Sequence, residues 1–197
     1  MDIPYYNSYE YDYDKIVISL QNSGKDFNTL SEVYFHVLDY TNTYPHAIQF
    51  FNDSDIHEQE LLNNWDLDYL PDQFFWNNKF YDTHLNVPKH IKKVGFGCFG
   101  YSDIQEVNFK RVEELEGGMF IGCYELNTVT LPESLIEVAP SSFNFNYPNV
   151  HTTIKIPRKA VDNLIPTHNR AGMTKGREED LLRNKFSPDG AYWEIIE

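Results

Sequence analysis

Apolar residues recur through the middle of the chain at a spacing that no single helix or strand produces. Three apolar positions, separated by three and then five residues, appear as Leu67/Leu70/Phe75, Ile91/Val94/Phe99, Val112/Leu115/Phe120 and Leu135/Val138/Phe143, with steps of 24, 21 and 23 residues between copies. A second set alternates with the first: Leu85/Val87, Val107/Phe109, Val129/Leu131 and Ile154/Ile156. Phe80, Ile104, Leu126 and Val150 fill a column between them. A unit this short cannot bury its own apolar face, so successive units must stack and share one core. Pairs two residues apart predict a short strand with both side chains inward. Proline follows three of the four pairs, at Pro88, Pro132 and Pro157, where a missing N–H ends the strand cheaply. The three-then-five spacing predicts a second extended segment running into a turn closed by phenylalanine. Gly95, Gly97, Gly100, Gly117, Gly118 and Gly122 supply the corners. Tyr147-Pro148-Asn149 reads as a bulged insertion in the longer unit.

The ends carry no repeat. Ile16–Leu20 predicts a strand. Thr29-x-x-Glu32 is a capping box that opens a helix through about Tyr40, with Leu30, Val33, Tyr34, Val37 and Leu38 on one stripe. Pro45 stops its continuation. Ala47–Phe51 predicts another strand, and Ser54 caps a second, acidic helix through about Asn63. Beyond the repeat, Val161 and Leu164 begin a fifth, degenerate coil. A helix over Arg177–Lys185 follows Thr174, Pro188-Asp189-Gly190 turns, and Ala191–Ile196 closes an edge as a strand. The expected fold is α+β, mostly β: a solenoid of about four coils over residues 65–160. An α/β cap occupies 14–64, a small cap 161–197, and a Tyr- and acid-rich arm 1–13.

The segments Val87-Pro88…Ile91…Val94-Gly95…Cys98-Phe99 and Val129-Thr130-Leu131-Pro132-Glu133-Ser134-Leu135-Ile136-Glu137-Val138-Ala139…Phe143 resemble the BspA-like leucine-rich repeat. Phe120-Ile121-Gly122-Cys123-Tyr124-Glu125-Leu126 is similar to that family's F-x-x-C-x-x-L portion, whereas Met119 and Ser142 stand where the family carries alanine before the phenylalanine. The resemblance covers about residues 65–160. It implies a curved, non-catalytic solenoid used for binding, as in surface proteins, secreted parasite proteins and phage-encoded proteins. For a phage protein the implied roles are a virion component or an inhibitor of a host protein.

Composition changes this picture in one respect. Apolar residues at 41% and charged residues at 23% are ordinary, but the formal net charge is −14. Residues 1–86 hold fifteen carboxylates against Lys15, Lys25 and Lys79, while the remainder of the chain is close to neutral. That balance argues against direct nucleic-acid binding and against anionic lipid. It points to a protein partner with a basic surface, met at the acidic end. The expected contact residues are Tyr5, Tyr6, Tyr9, Tyr11 and Tyr13 of the arm, with Asp53, Asp55, Glu58, Glu60, Asp66 and Asp68. A homo-oligomer or larger assembly stays open. The alternative is a nucleic-acid mimic, whose carboxylates imitate phosphates to inhibit a DNA- or RNA-binding enzyme. A start without a basic, then apolar leader and two cysteines read as reduced thiols place the chain in the cytoplasm, or in the virion for a phage protein.

Candidate chemistry is sparse, and no catalytic residue, cofactor or metal site is expected. Gly95-x-Gly97-x-x-Gly100 spells a dinucleotide fingerprint, but its Phe99 belongs to a repeat column and no βαβ frame surrounds it. The seven histidines show no helical ligand spacing, and Asp53–Glu58 lacks the glycine of a calcium loop. No Gly-x-Ser-x-Gly elbow occurs. Cys98 and Cys123 sit in repeat columns, as core thiols do.

Overall fold

The computed structural model describes residues 13–42, 47, 48, 50, 51, 56–145, 151–187 and 191–197. Its centre is a parallel β-solenoid. Two-residue strands β1 (Tyr69–Leu70), β3 (Lys93–Val94), β5 (Glu114–Leu115) and β7 (Glu137–Val138) form one sheet. Strands β2 (His84–Val87), β4 (Glu106–Phe109), β6 (Thr128–Thr130), β8 (Thr153–Pro157) and β9 (Tyr192–Ile196) form the other. Register aligns the repeat columns: Leu70, Val94, Leu115 and Val138 fall in one row, and Leu85, Val107, Val129, Ile154 and Trp193 in another. Every residue of these two rows is buried.

The third side of each coil is a turn, and its backbone also bonds from coil to coil. Phe75 N–H donates to the Cys98 carbonyl at 2.7 Å, Phe99 N–H to Met119 at 2.9 Å and Met119 N–H to Ser142 at 3.2 Å. Beneath the turns runs a stack of rings. Phe75–Phe99, Phe99–Phe120 and Phe120–Phe143 have centroids 5.7, 5.3 and 6.0 Å apart with planes tilted by 22° at most. Tyr34, Trp65 and Phe74 extend this spine into the N-terminal cap, and Trp193 and Phe186 close it at the other end.

The N-terminal cap is helical where it is described, so both strands expected there are corrected. Ile16–Leu20 lies inside helix α1 (Tyr13–Asn22). A strand would put Ile16, Ile18 and Leu20 on one face, but Ile16 is buried and Ile18 is 52% exposed. Helical spacing instead turns Ile16, Val17 and Leu20 toward the core. Ala47, Ile48, Phe50 and Phe51 are helical as well, and all four are buried, which strand alternation forbids. Helix α2 (Leu30–Thr41) begins at its capping box: Thr29 Oγ1 accepts from Glu32 N–H at 3.3 Å, and Glu32 reaches back to Asn28 N–H at 2.7 Å. The acidic helix α3 (Glu58–Asn64) starts after His57, and the Ser54 cap and Pro45 stop lie outside the described residues.

At the C-terminal end, Val161 and Leu164 belong to helix α4 (Arg158–Leu164) and not to a fifth coil; a spacing of three serves a helix face equally well. Helix α5 (Lys175–Phe186) is capped by Thr174, as expected. Its Phe186 carbonyl takes the Phe143 N–H at 3.0 Å, continuing the ladder of the turns. Strand β9 covers the open edge of the larger sheet, pairing parallel to β8 over five residues. Arg170 pins this cap from a buried position: its guanidinium donates to Glu178 at 2.9 Å, Asp162 at 2.6 Å and the Ile165 carbonyl at 2.8 Å, while Arg158 reaches Glu178 at 2.7 Å.

Candidate functional site

The turn side of the solenoid carries large rings that the core does not take. Phe96, Tyr101 and Tyr124 are 46%, 48% and 51% exposed, and Trp76 is half-buried beside Tyr101, with centroids 4.9 Å apart. Three of these rings, Trp76, Phe96 and Tyr101, lie over a glycine of the next coil. A Cβ on Gly100 would fall 2.4 Å from the Trp76 ring, one on Gly118 3.3 Å from Phe96, and one on Gly122 2.6 Å from Tyr101. Gly97, Gly118 and Gly122 also have positive φ, so these corners need glycine for two independent reasons. The rings are therefore seated on a backbone floor and held apart by the stacking of the coils. Carboxylates accompany them: Asp72 Oδ1 accepts the Phe96 N–H at 2.8 Å, and Asp103 and Glu125 follow Tyr101 and Tyr124 in the chain. Sequence reading took these glycines as corners and missed the rings above them. The signal is present, since Trp76, Phe96 and Tyr101 each precede a glycine by 21–24 residues, one coil.

The acidic residues expected to touch a partner separate into two groups. Glu58 is buried at the start of α3, where its carboxylate accepts from Asn78 Nδ2 at 2.9 Å and Tyr81 N–H at 3.3 Å. Asp66 accepts the Ser31 N–H at 2.9 Å and the Ser31 hydroxyl at 2.6 Å, tying α2 to the first coil. Burial alone would raise the Asp66 carboxyl, but the Ser31 bonds outweigh it and hold the group below the usual carboxylate range. Both side chains thus join cap to solenoid. Glu58 is the buried one; Asp66 is exposed, as are Glu60 and Asp68. Tyr13 opens α1, while Tyr5, Tyr6, Tyr9, Tyr11, Asp53 and Asp55 lie outside the described residues.

The fingerprint glycines resolve into turn geometry. Gly97 takes φ +62°, Gly95 lets the Asp72 backbone approach, and Gly100 floors Trp76. Cys98 and Cys123 are free, buried thiols. Burial pushes the Cys123 thiol up to about 11 against hydrogen bonds around Ser102, and it pushes Cys98 higher still. His36 Nε2 lies 3.0 Å from Ser19 Oγ, a strut between α1 and α2 beside an open depression lined by Lys25, Phe27, Phe35 and Asp39. Among the described residues no group of three or more His, Cys, Asp or Glu is placed to hold a metal ion, and no helix is long and apolar enough to cross a membrane.

Comparison with known families gives a match to the BspA type leucine rich repeat region, in six copies over residues 48–162. No curated protein and no solved structure matches the chain.

Proposed function

We propose that this chain, which belongs to the BspA type leucine-rich repeat family, is a protein-binding solenoid that presents its aromatic turn face to a basic segment of a partner protein. The observation that carries the reading is the row of half-buried Trp76 and exposed Phe96 and Tyr101, all three seated on glycines, with exposed Tyr124 in the following coil. Tyr and Trp dominate binding energy in protein interfaces, and rings already fixed lose little entropy on contact. Their faces attract arginine and lysine through the ring quadrupole, and Asp72, Asp103 and Glu125 add charge of the matching sign. The acidic first 86 residues work in the same direction at longer range, steering a basic partner toward the molecule. Within them Glu60 and Asp68 are free to face a partner, and the tyrosines of residues 1–13 are assigned to the same role by residue type. The two thiols, buried and unpaired, support a reducing compartment.

The test is fluorescence anisotropy with a labelled hexa-arginine peptide and the full chain. The double variant Phe96→Ala/Tyr101→Ala keeps every charge, so it isolates the rings. We expect affinity to fall about tenfold or more, equivalent to about 1.4 kcal/mol. Unchanged affinity removes the turn face from the proposal and leaves only diffuse attraction to an acidic protein.

A further inference from the structure

The described surface of this acidic molecule carries a basic ridge. The corner between the two sheets carries Lys89, His90 and Lys92 in one coil and Lys110 and Arg111 in the next, all exposed. Backbone bonds set these segments side by side: Lys110 N–H donates to the Val87 carbonyl at 3.2 Å, and Glu113 N–H to the Lys92 carbonyl at 2.7 Å. Among the described residues, no carboxylate lies within 4.0 Å of any of the five. Partners exist in the same coils, because the adjacent Lys93 is bridged to Glu114 at 3.4 Å and Glu116 at 2.9 Å. The ridge also breaks the repeat. Pro88, Pro132 and Pro157 follow the inward pair in the other coils, and Lys110 takes that place here, with Arg111 behind it. The Lys110 N–H makes a coil-to-coil bond that proline could not, but any residue with an N–H would make it, whereas the Lys-Arg side chains add like charge next to Lys89.

We infer that this ridge is a second docking surface and that its occupant is a short acidic segment of a protein. Its size decides between the anionic partners. Asp66 and Asp68 occupy the same corner in the coil before, Glu133 stands in the coil after, and Glu113 lies at the inner side. Four fixed cations hemmed by carboxylates suit two to four carboxylates of one peptide. A nucleic acid gains its affinity from more phosphate contacts, on the order of 6–10 for a specific duplex binder, and would run onto the flanking acids. The acidic residues that lie further from the ridge do not prevent docking at physiological salt, where charges more than about 8 Å apart are largely screened. The ridge and the turn face are separate sides of the coil, so this site stands whether or not the aromatic surface binds.

The test uses the full chain and fluorescein-labelled hexaglutamate in an anisotropy titration at about 0.15 M salt. Wild type and the control Lys79→Gln/Arg177→Gln bind the peptide. The quadruple variant Lys89→Gln/Lys92→Gln/Lys110→Gln/Arg111→Gln binds at least about tenfold more weakly, with an unchanged circular dichroism spectrum; should the quadruple variant fail to fold, Lys110→Gln/Arg111→Gln takes its place with the same expectation. Raising salt to about 1 M, where the screening length is about 3 Å, abolishes binding to wild type. The inference is overturned by absence of hexaglutamate binding, by an equal loss in the control, or by a labelled oligothymidylate that binds more tightly than the peptide.

Discussion

Phe120→Ala is the substitution that asks most of the ring stack. Phe120 is fully buried, with Phe99 at 5.3 Å on one side and Phe143 and Phe145 at 6.0 and 6.4 Å on the other. An aromatic side chain buries about 150–250 Å², worth about 4–6 kcal/mol at about 25 cal/mol per Å². Alanine retains part of that area, and the remaining cavity cannot collapse because the backbone ladder fixes the coil spacing. The expected loss is therefore about 4 kcal/mol, inside the usual range of about 3–5 for buried Phe→Ala. Against a typical native stability of about 5–15 kcal/mol, this is a large share. Urea denaturation followed by circular dichroism should show a lower midpoint at unchanged slope, and the thermal midpoint should fall by about 10 °C. The three tryptophans make the test sharper: Trp65 and Trp76 report on the first coil, and Trp193 reports on the C-terminal strand beyond Phe143. In a solenoid each coil contacts only its neighbours, and Phe120 sits between these probes. Single-tryptophan derivatives should both lose stability with Phe120→Ala. A loss under about 1 kcal/mol, or one confined to a single end, refutes the idea that the rings couple the coils.

Three further outcomes follow from hydrogen-bonded ionisable groups and from the buried thiols. Arg170→Met leaves the buried Glu178 with Arg158 as its remaining cation and should cost up to about 3 kcal/mol, read as a loss of protection in the C-terminal cap by hydrogen exchange over α5 and β9. Glu178 and Asp66 both have carboxyls held below their ordinary values of 4.5 and 3.8: burial opposes this, but the arginines outweigh it at Glu178 and Ser31 does so at Asp66. A depressed folded-state value means that both contribute stability above the ordinary value and lose it as pH falls through the folded one. Glu178→Gln and Asp66→Asn should each flatten the acid limb of a stability-against-pH curve, and an unaltered limb would show that the groups do not carry it. Cys98 and Cys123 should resist a thiol reagent at pH 8 in the native state and react only on unfolding; rapid native-state labelling contradicts the burial that raises both thiols.

The solenoid was legible because its physics is periodic. Ile91, Val94 and Phe99 could be placed inward without any structure, since a column that recurs every 21–24 residues must stack, and the register later puts those residues in rows. The cap was less legible because nothing repeats there. Ile16-Val17-Ile18 offers β-branched residues to either a strand or a helix, and only the docking of α1 on α2 selects the helix that leaves Ile18 in solvent. Glu58 reads as a surface acid by charge but is buried, whereas Asp66 is exposed as its charge suggests; what no local pattern encodes is their partners, Asn78 and Ser31, which stand 20 and 35 residues away.

The repeat itself shows where binding should be sought. Positions that obey it are spent on stacking: the inward rows, the phenylalanines and the glycine corners. Positions that break it owe nothing to the coil. Trp76 stands where the next coil has Gly100, Phe96 where the one after has Gly117, and Tyr101 where it has Gly122. Lys110 likewise stands where three other coils have proline. For the rings, a neighbouring coil of the same chain folds with glycine at the same place; at Lys110 the coil uses the backbone N–H that proline lacks, but it does not use the charge of the side chain. The two sets of exceptions carry opposite chemistry, rings with carboxylates on the turn side and cations on the sheet corner. Under the two proposals above they would divide one small solenoid between two kinds of partner surface, and the charge-preserving and charge-neutralising variant sets test them separately without touching a core residue.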